Sequence, residues 1–280
     1  MRDIRQQAGI LEAQHLVKDF RFRDGVRLST LHAVKDVSFS LEPGRTVALV
    51  GESGSGKSTI ARMMAKLETP SSGRVIIDGK PSADRGRGLA QYRRDVQMVF
   101  QDPFGSLNPF HTIRHHVERP LRIHHPEWSS SQVRNRAHEL LERVQLTPAS
   151  RFADRRPHEL SGGQRQRVAI ARALAPGARF IVADEPVSML DVSIRLGVLN
   201  LLADLQREER LGVLYITHDL ATARHFSDEI LVMLRGELVE RGPSDRVILD
   251  PQHEYTKTLL DAAADPENLG MLRDEVRNGG

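Results

Sequence analysis

The sequence predicts an α/β protein: a parallel sheet, an antiparallel β subdomain ahead of it, and a helical subdomain inserted near the middle of the chain. Three observations carry that expectation. Short β-branched or apolar runs recur at residues 46–50, 96–100, 180–183 and 213–217, and each stops at a polar or glycine-rich segment, as buried parallel strands do. Upstream, residues 16–22 and 33–41 alternate in the manner of antiparallel strands, with Glu42-Pro43-Gly44 as a turn. From about residue 103 to 170 the β-branched pattern disappears; SSQVRNRAHELLERVQL is helical in spacing, and Pro126, Pro148 and Pro157 punctuate the region.

Composition bounds the rest. At 280 residues the chain has length for one large domain or two modest ones, with a substantial core. Its 39% apolar and 28% charged residues exclude collagen-like, low-complexity and wholly disordered chains. The absence of cysteine excludes a disulfide scaffold, a thiolate metal site and a cysteine nucleophile. Forty Lys and Arg face 37 Asp and Glu, a balance without the footprint of a nucleic-acid binder, so no nucleic acid is expected as a partner. The apolar runs are far shorter than the ~20 residues that span a bilayer. MRDIRQQAG is followed by no apolar stretch of the secretory kind, so the expectation is a cytoplasmic protein. No internal repeat is visible.

Each strand end carries candidate chemistry. After residues 46–50 comes Gly51-Glu52-Ser53-Gly54-Ser55-Gly56-Lys57-Ser58-Thr59, and then IARMMAKL with helical spacing. The pattern Gly-x-x-x-x-Gly-Lys-Ser between a strand and a helix is that of a phosphate-binding loop. Its glycines let backbone N–H groups turn inward, and the helix start adds partial positive charge. Lys57 would reach the β- and γ-phosphates and Ser58 would offer its hydroxyl to Mg²⁺. Asp184 and Glu185 close the run 180–183. Taken alone they are a solvated strand end; beside a phosphate loop, Asp184 can hold Mg²⁺ and Glu185 can orient or deprotonate a water. His218 follows 213–217 and reads either as a surface cap or as a polar sensor of the γ-phosphate. In open α/β sheets ligands bind outside the carboxyl ends of the strands, so Lys57, Gln101, Asp184, Glu185 and His218 are expected on one edge.

Leu160-Ser161-Gly162-Gly163-Gln164-Arg165-Gln166-Arg167 resembles the signature motif of ABC transporter ATPases. Around it, in the family's order, stand Phe20 where an adenine-stacking aromatic is expected, Gln101 as the Q-loop, Asp184-Glu185, Ser188-Met189-Leu190-Asp191 as the D-loop, and His218 as the switch histidine. The resemblance covers about residues 11–262, leaving a short tail at 263–280. It implies a phosphate-loop NTPase core, with ATP and Mg²⁺ as cofactors. It implies ATP bound by Phe20 and residues 51–59, Mg²⁺ held by Ser58, Gln101 and Asp184, and catalysis by Glu185, His218 and Gln101. Ser161, Gly162 and Gly163, with Gln164, precede a helix and so make a second anion-binding start. In the family that start serves ATP held by a partner subunit, with Asp191 at the dimer seam, and the helical region with Gln101 forms a groove for a coupling helix of the membrane subunit.

A narrower resemblance lies in Val99-Phe100-Gln101-Asp102-Pro103, Ser106-Leu107-Asn108-Pro109, Glu185-Pro186-Val187-Ser188, Asp191-Val192-Ser193-Ile194 and His253-Glu254-Tyr255-Thr256. These are similar to the ATPase subunits of oligopeptide, dipeptide and nickel importers. Glu254 replaces the usual proline, and Met189 the usual alanine of the D-loop. The resemblance implies peptide uptake powered at the cytoplasmic face of the membrane, with a second, different ATPase subunit, two permease subunits and, indirectly, a solute-binding protein. Nickel or oligosaccharide import is the alternative; a soluble ABC ATPase acting on nucleic acid is the distant one, since the chain has one module and no sustained heptads. His111, His115, His116, His124 and His125 invite a metal reading, with His111 and His115 spaced to share a helix face; the expectation is solvated surface histidines.

Overall fold

The computed structural model describes residues 9–24 and 27–264. The alternating N-terminal segments form two long strands, β1 (Leu11–Asp24) and β2 (Arg27–Leu41), paired antiparallel from Leu11↔Leu41 to Asp24↔Arg27. Then come β3 (Thr46–Val50), α1 (Lys57–Met64), β4 (Ser72–Ile77), β5 (Lys80–Pro81), α2 (Gly86–Asp95) and β6 (Val96–Val99). β4 and β5 extend the first pair into an antiparallel sheet of order β2-β1-β4-β5. The helical region holds α3 (Pro103–Ser106), α4 (Ile113–His124), α5 (Ser130–Arg143), α6 (Ala149–Ala153) and α7 (Gly162–Leu174), so it runs four residues beyond 170. β7 (Phe180–Asp184), α8 (Val192–Glu209), β8 (Gly212–Thr217), α9 (Leu220–Phe226), β9 (Glu229–Leu234), β10 (Glu237–Pro243), α10 (Ser244–Leu249) and α11 (Glu254–Ala264) complete the described chain. All but the first two residues of the 263–280 tail lie outside the described residues.

The second sheet has the order β10-β9-β3-β8-β7-β6, parallel except for β10. Its strands are apolar on both faces because both are covered, and alternate residues enter two cores. Val47, Leu49, Phe180, Val182, Leu214 and Ile216 pack toward the antiparallel sheet and α1. Ala48, Val50, Ile181, Ala183, Val213 and Tyr215 pack toward the helical region and α8. At roughly 25 cal/mol per Å² of apolar surface, each fully buried Leu or Ile here contributes about 1.5–3 kcal/mol before entropic costs. Parallel strands point the same way, so the carboxyl ends of β3, β7 and β8 share one edge, with β3 placed between β9 and β8.

Two local expectations change. The run 96–100 stops as a strand at Val99, and Phe100 stands half-exposed beyond it. The β9–β10 hairpin, which the sequence reading did not assign, turns at Arg235 and Gly236 with φ of +47° and +90°, the left-handed pair of a tight hairpin turn.

Candidate functional site

The loop after β3 is shaped by close approaches that only glycine permits. A Cβ on Gly51 would come within 2.2 Å of the Met233 carbonyl oxygen, and one on Gly56, at φ +108°, within 2.2 Å of the Ala33 carbonyl oxygen. The Gly236 N–H donates to the Ser55 carbonyl at 2.9 Å, so the β9–β10 turn holds the loop from the side. Gly56 caps α1 with no side-chain hydrogen bond, which leaves the first N–H groups of that helix for an anion. Ser53 and Gly54 face solvent. Lys57 is buried; its Nζ donates to the Gly51 and Glu52 carbonyls, each at 2.7 Å, and burial pushes its pKa down despite the nearby carboxylates Glu185, Asp184 and Glu52. Ser58 and Thr59 follow in the first turn of α1.

Across the edge, the Ser58 hydroxyl donates to Asp184 Oδ1 at 3.1 Å. Asp184 closes β7 and is 7% exposed; burial is the largest influence on it and raises its pKa. A buried carboxylate beside a hydroxyl fits a hard divalent cation, which prefers oxygen donors. Glu185, the next residue, has φ +44° and is fixed by its N–H to the Ile216 carbonyl of β8 at 2.9 Å. Gln101 Nε2 donates to Glu185 Oε2 at 2.9 Å, and His218 Nδ1 lies 3.5 Å from Glu185 Oε1. The histidine holds the Glu185 carboxyl below its usual pKa, and the carboxylate raises that of His218. Gln101, Glu185 and His218 are thus one hydrogen-bonded group, and Ser58 and Asp184 another. The Gln101 side chain joins Glu185 rather than the Ser58–Asp184 pair.

Phe20 pairs across β1–β2 with Leu31, two residues from Ala33, which touches the loop; its ring is partly exposed, with Lys18 Nζ 4.9 Å from the centroid. The Ser161–Gln164 start of α7 is a second kind of helix start. Ser161 and Gln164 form a reciprocal capping box, with the Gln164 N–H to Ser161 Oγ at 3.3 Å and the Ser161 N–H to Gln164 Oε1 at 3.0 Å. Gly162 and Gly163 lie against Leu190 and Ile194: a Cβ on Gly163 would meet Ile194 Cγ2 at 2.5 Å. The signature and the Asp191 segment are therefore packed together, and Asp191 itself is exposed at the start of α8.

Two contacts escaped the sequence. The Arg165 guanidinium lies 4.1 Å from the centroid of Phe104, joining the segment after Gln101 to the signature helix. The Glu52 N–H donates to the Tyr255 hydroxyl at 3.0 Å, from α11 to the loop; no short-range signal reports a contact between residues so far apart. The histidines are corrected in part. His111 precedes α4 rather than sharing it, although its ring stacks on His115 at 4.0 Å, and His116 is buried with its Nε2 3.0 Å from the Asn108 carbonyl. Among the described residues no three potential ligands gather to hold a metal ion.

A family model described as ABC transporter matches residues 34–188. The chain is 45% identical over 260 residues to the oligopeptide transport ATP-binding protein OppF of Bacillus subtilis, covering 92% of this chain and 83% of that protein. It is 46% identical over 263 residues to the glutathione import ATP-binding protein GsiA of Salmonella paratyphi A, covering 92% of this chain but 42% of that protein; the chain spans less than half the length of that relative. Among solved structures, the dimeric post-hydrolysis state of the ATP-binding cassette MJ0796 with ADP and Pi superposes with a TM-score of 0.71 at 34% identity, over 84% of this chain and 98% of that one.

Proposed function

Because this chain belongs to the ABC transporter family, we propose that it hydrolyses ATP to drive the uptake of short peptides through a membrane permease. The observation that carries the proposal is Glu185, a carboxylate gripped by Gln101 and His218 beside the Ser58–Asp184 pair and the glycine loop. The loop and Lys57 bind the β- and γ-phosphates, and Phe20 stacks on the adenine. Glu185 orients a water and takes its proton as the oxygen attacks the γ-phosphorus and the bond to the β–γ bridging oxygen breaks, giving ADP and inorganic phosphate; its lowered pKa keeps it ionised for that role. His218 holds the γ-phosphate edge and Gln101 fixes Glu185. Ser58 and Asp184, paired at 3.1 Å, would hold Mg²⁺, which when bound supplies positive charge against the phosphate oxygens, while Gln101 stays with Glu185.

Turnover needs two chains. The Ser161–Gln164 start of one subunit closes over the nucleotide of the other, with Asp191 at the seam, and a second, different ATPase subunit is the expected partner. Among the described residues no helix is long and apolar enough to cross a membrane. Relatives named as transport or import ATP-binding proteins support attachment through two permease subunits at the cytoplasmic face. A cavity of about 540 Å³ between β6, α4 and α7 suits their coupling segments. Arg93, Arg119 and Arg172 line it and no carboxylate does, with Phe100 and Ile123 as apolar rim, a match for a short acidic helix with an apolar face. Relatives named for oligopeptide and glutathione import support peptide as the cargo, glutathione being a tripeptide. The test is reconstitution with the permeases and binding protein in liposomes. Phosphate release stimulated by peptides supports the reading, and stimulation by nickel or oligosaccharide alone overturns the cargo.

A further inference from the structure

We infer that Tyr255 is a positioning residue for the phosphate loop, through which the C-terminal helix α11 sets the affinity for nucleotide; the inference rests on the ATP-binding role proposed for that loop. The Tyr255 hydroxyl accepts the Glu52 N–H at 3.0 Å, although the two residues are 203 positions apart. That N–H and the Gly51 carbonyl are the two sides of one peptide unit, and the Gly51 carbonyl accepts from Lys57 Nζ at 2.7 Å. Tyr255 therefore fixes the orientation of the peptide that in turn fixes the lysine. Without the hydroxyl, the plane can rotate and the ammonium loses one of its guides.

Three features show that the contact is built. Tyr255 is 8% exposed, and burial pushes its pKa up to about 12, so the group remains a neutral hydroxyl. The turn before α11 is gripped from β10: the two carboxylate oxygens of Glu240 accept the N–H groups of Gln252 and His253, at 2.8 and 3.0 Å. The Tyr255 N–H donates to His253 Nδ1 at 3.1 Å. α11 also packs on α9, the helix that begins just after His218. One helix thus touches both the loop and the helix that follows the switch histidine.

The test is Tyr255→Phe, which keeps the ring and removes only the hydroxyl. A buried N–H left unpaired and a loosened loop predict a rise of about 3- to 10-fold in both KM and Kd for ATP, with kcat unchanged. Tyr92→Phe is the matched control, because the Tyr92 hydroxyl also bonds buried backbone, at Met64. It lowers the melting midpoint and leaves KM alone. Glu240→Ala, which releases the turn without touching the ring, raises KM less than Tyr255→Phe does, and it carries the test should Tyr255→Phe fold poorly. If wild type binds ATP and neither Tyr255→Phe nor Glu240→Ala alters KM, the inference is overturned alone. If wild type binds no ATP, the nucleotide reading falls and the inference falls with it.

Discussion

The molecule holds two helix starts suited to anions, and they are finished to different degrees. At α1 the cap is Gly56, with no side-chain partner, and Lys57 is buried among loop carbonyls. At α7 the cap is Ser161, whose capping box with Gln164 already satisfies two N–H groups of the start, those of Ser161 and Gln164, and Ser161 faces solvent. The first waits for a ligand that replaces water on orphan N–H groups. The second is partly finished by its own side chains and has the N–H groups of Gly162 and Gly163 and its helix dipole to offer an approaching charge. A nucleotide cradle on one surface and a second start presented on another would let one chain contribute half of each of two composite sites, as the proposed function requires.

The sharpest way to separate the two is to remove the chemistry and leave both starts in place. Glu185→Gln keeps size and polarity but cannot accept a proton, so ATP turnover falls by about 10²- to 10⁴-fold while ATP affinity holds. Phosphate release and analogue titration on the same sample check both halves. Next, Ser161→Arg places bulk and charge at the second start only. Turnover of the assembled complex drops by roughly 10²- to 10³-fold through lost transition-state contacts, whereas the isolated chain binds ATP as before. Collapse of binding by the lone chain contradicts a helper role for α7.

Lys57→Ala acts on the first start only, and nucleotide affinity falls by about 10- to 100-fold through the lost charge-assisted hydrogen bonds. Circular dichroism remains native, since the core lies in the strands and not in this side chain; unchanged affinity breaks the phosphate-loop assignment. The smallest effect is one of pH. Glu185 raises the pKa of His218, so the stability from their pairing is fully present below the unfolded imidazole value near 6.5 and is lost as pH rises through the raised folded value. The depressed carboxyl contributes above its unfolded value near 4.5 and loses its share only as pH falls through its lower folded value. Between about pH 6 and 9 the melting midpoint therefore declines slightly more in wild type than in His218→Gln. The difference is at most about 2 °C, because the imidazole is largely exposed and solvent screens the pair.

The parallel core was legible because β3, β7 and β8 are apolar on both faces and end in residues whose chemistry is out of place in a core. Lys57 was legible from the Gly-x-x-x-x-Gly-Lys-Ser pattern after β3, Asp184, Glu185 and His218 from their place at strand ends beside such a loop, and the roles of Gln101, Phe20 and the α7 start from likeness to a family. The sheet order was not legible: β9 joins β3 through Val47↔Glu229 and Val50↔Val232, pairs between distant residues that no local pattern encodes. The β9–β10 and β4–β5 turns did carry a signal. Arg235-Gly236 and Asp78-Gly79 both adopt left-handed φ values, and Asp-Gly after a β-branched run is a hairpin pattern. What distinguishes the histidines is tertiary: His116 is buried because α4 turns it toward Asn108, which composition cannot report.

The phosphate loop has consequences for how the protein is made. Its strand, β3, is translated well before its neighbours β8 and β9 and before Gly236 and Tyr255, whose hydrogen bonds hold the loop from outside. On the ribosome, β3 waits as an apolar strand with both edges unpaired, the kind of segment that invites aggregation. The finished loop can form only after residue 255 has left the exit tunnel. Nucleotide binding therefore waits for the synthesis of α11, and a chain truncated within that helix keeps the parallel strands but has an unfinished cradle.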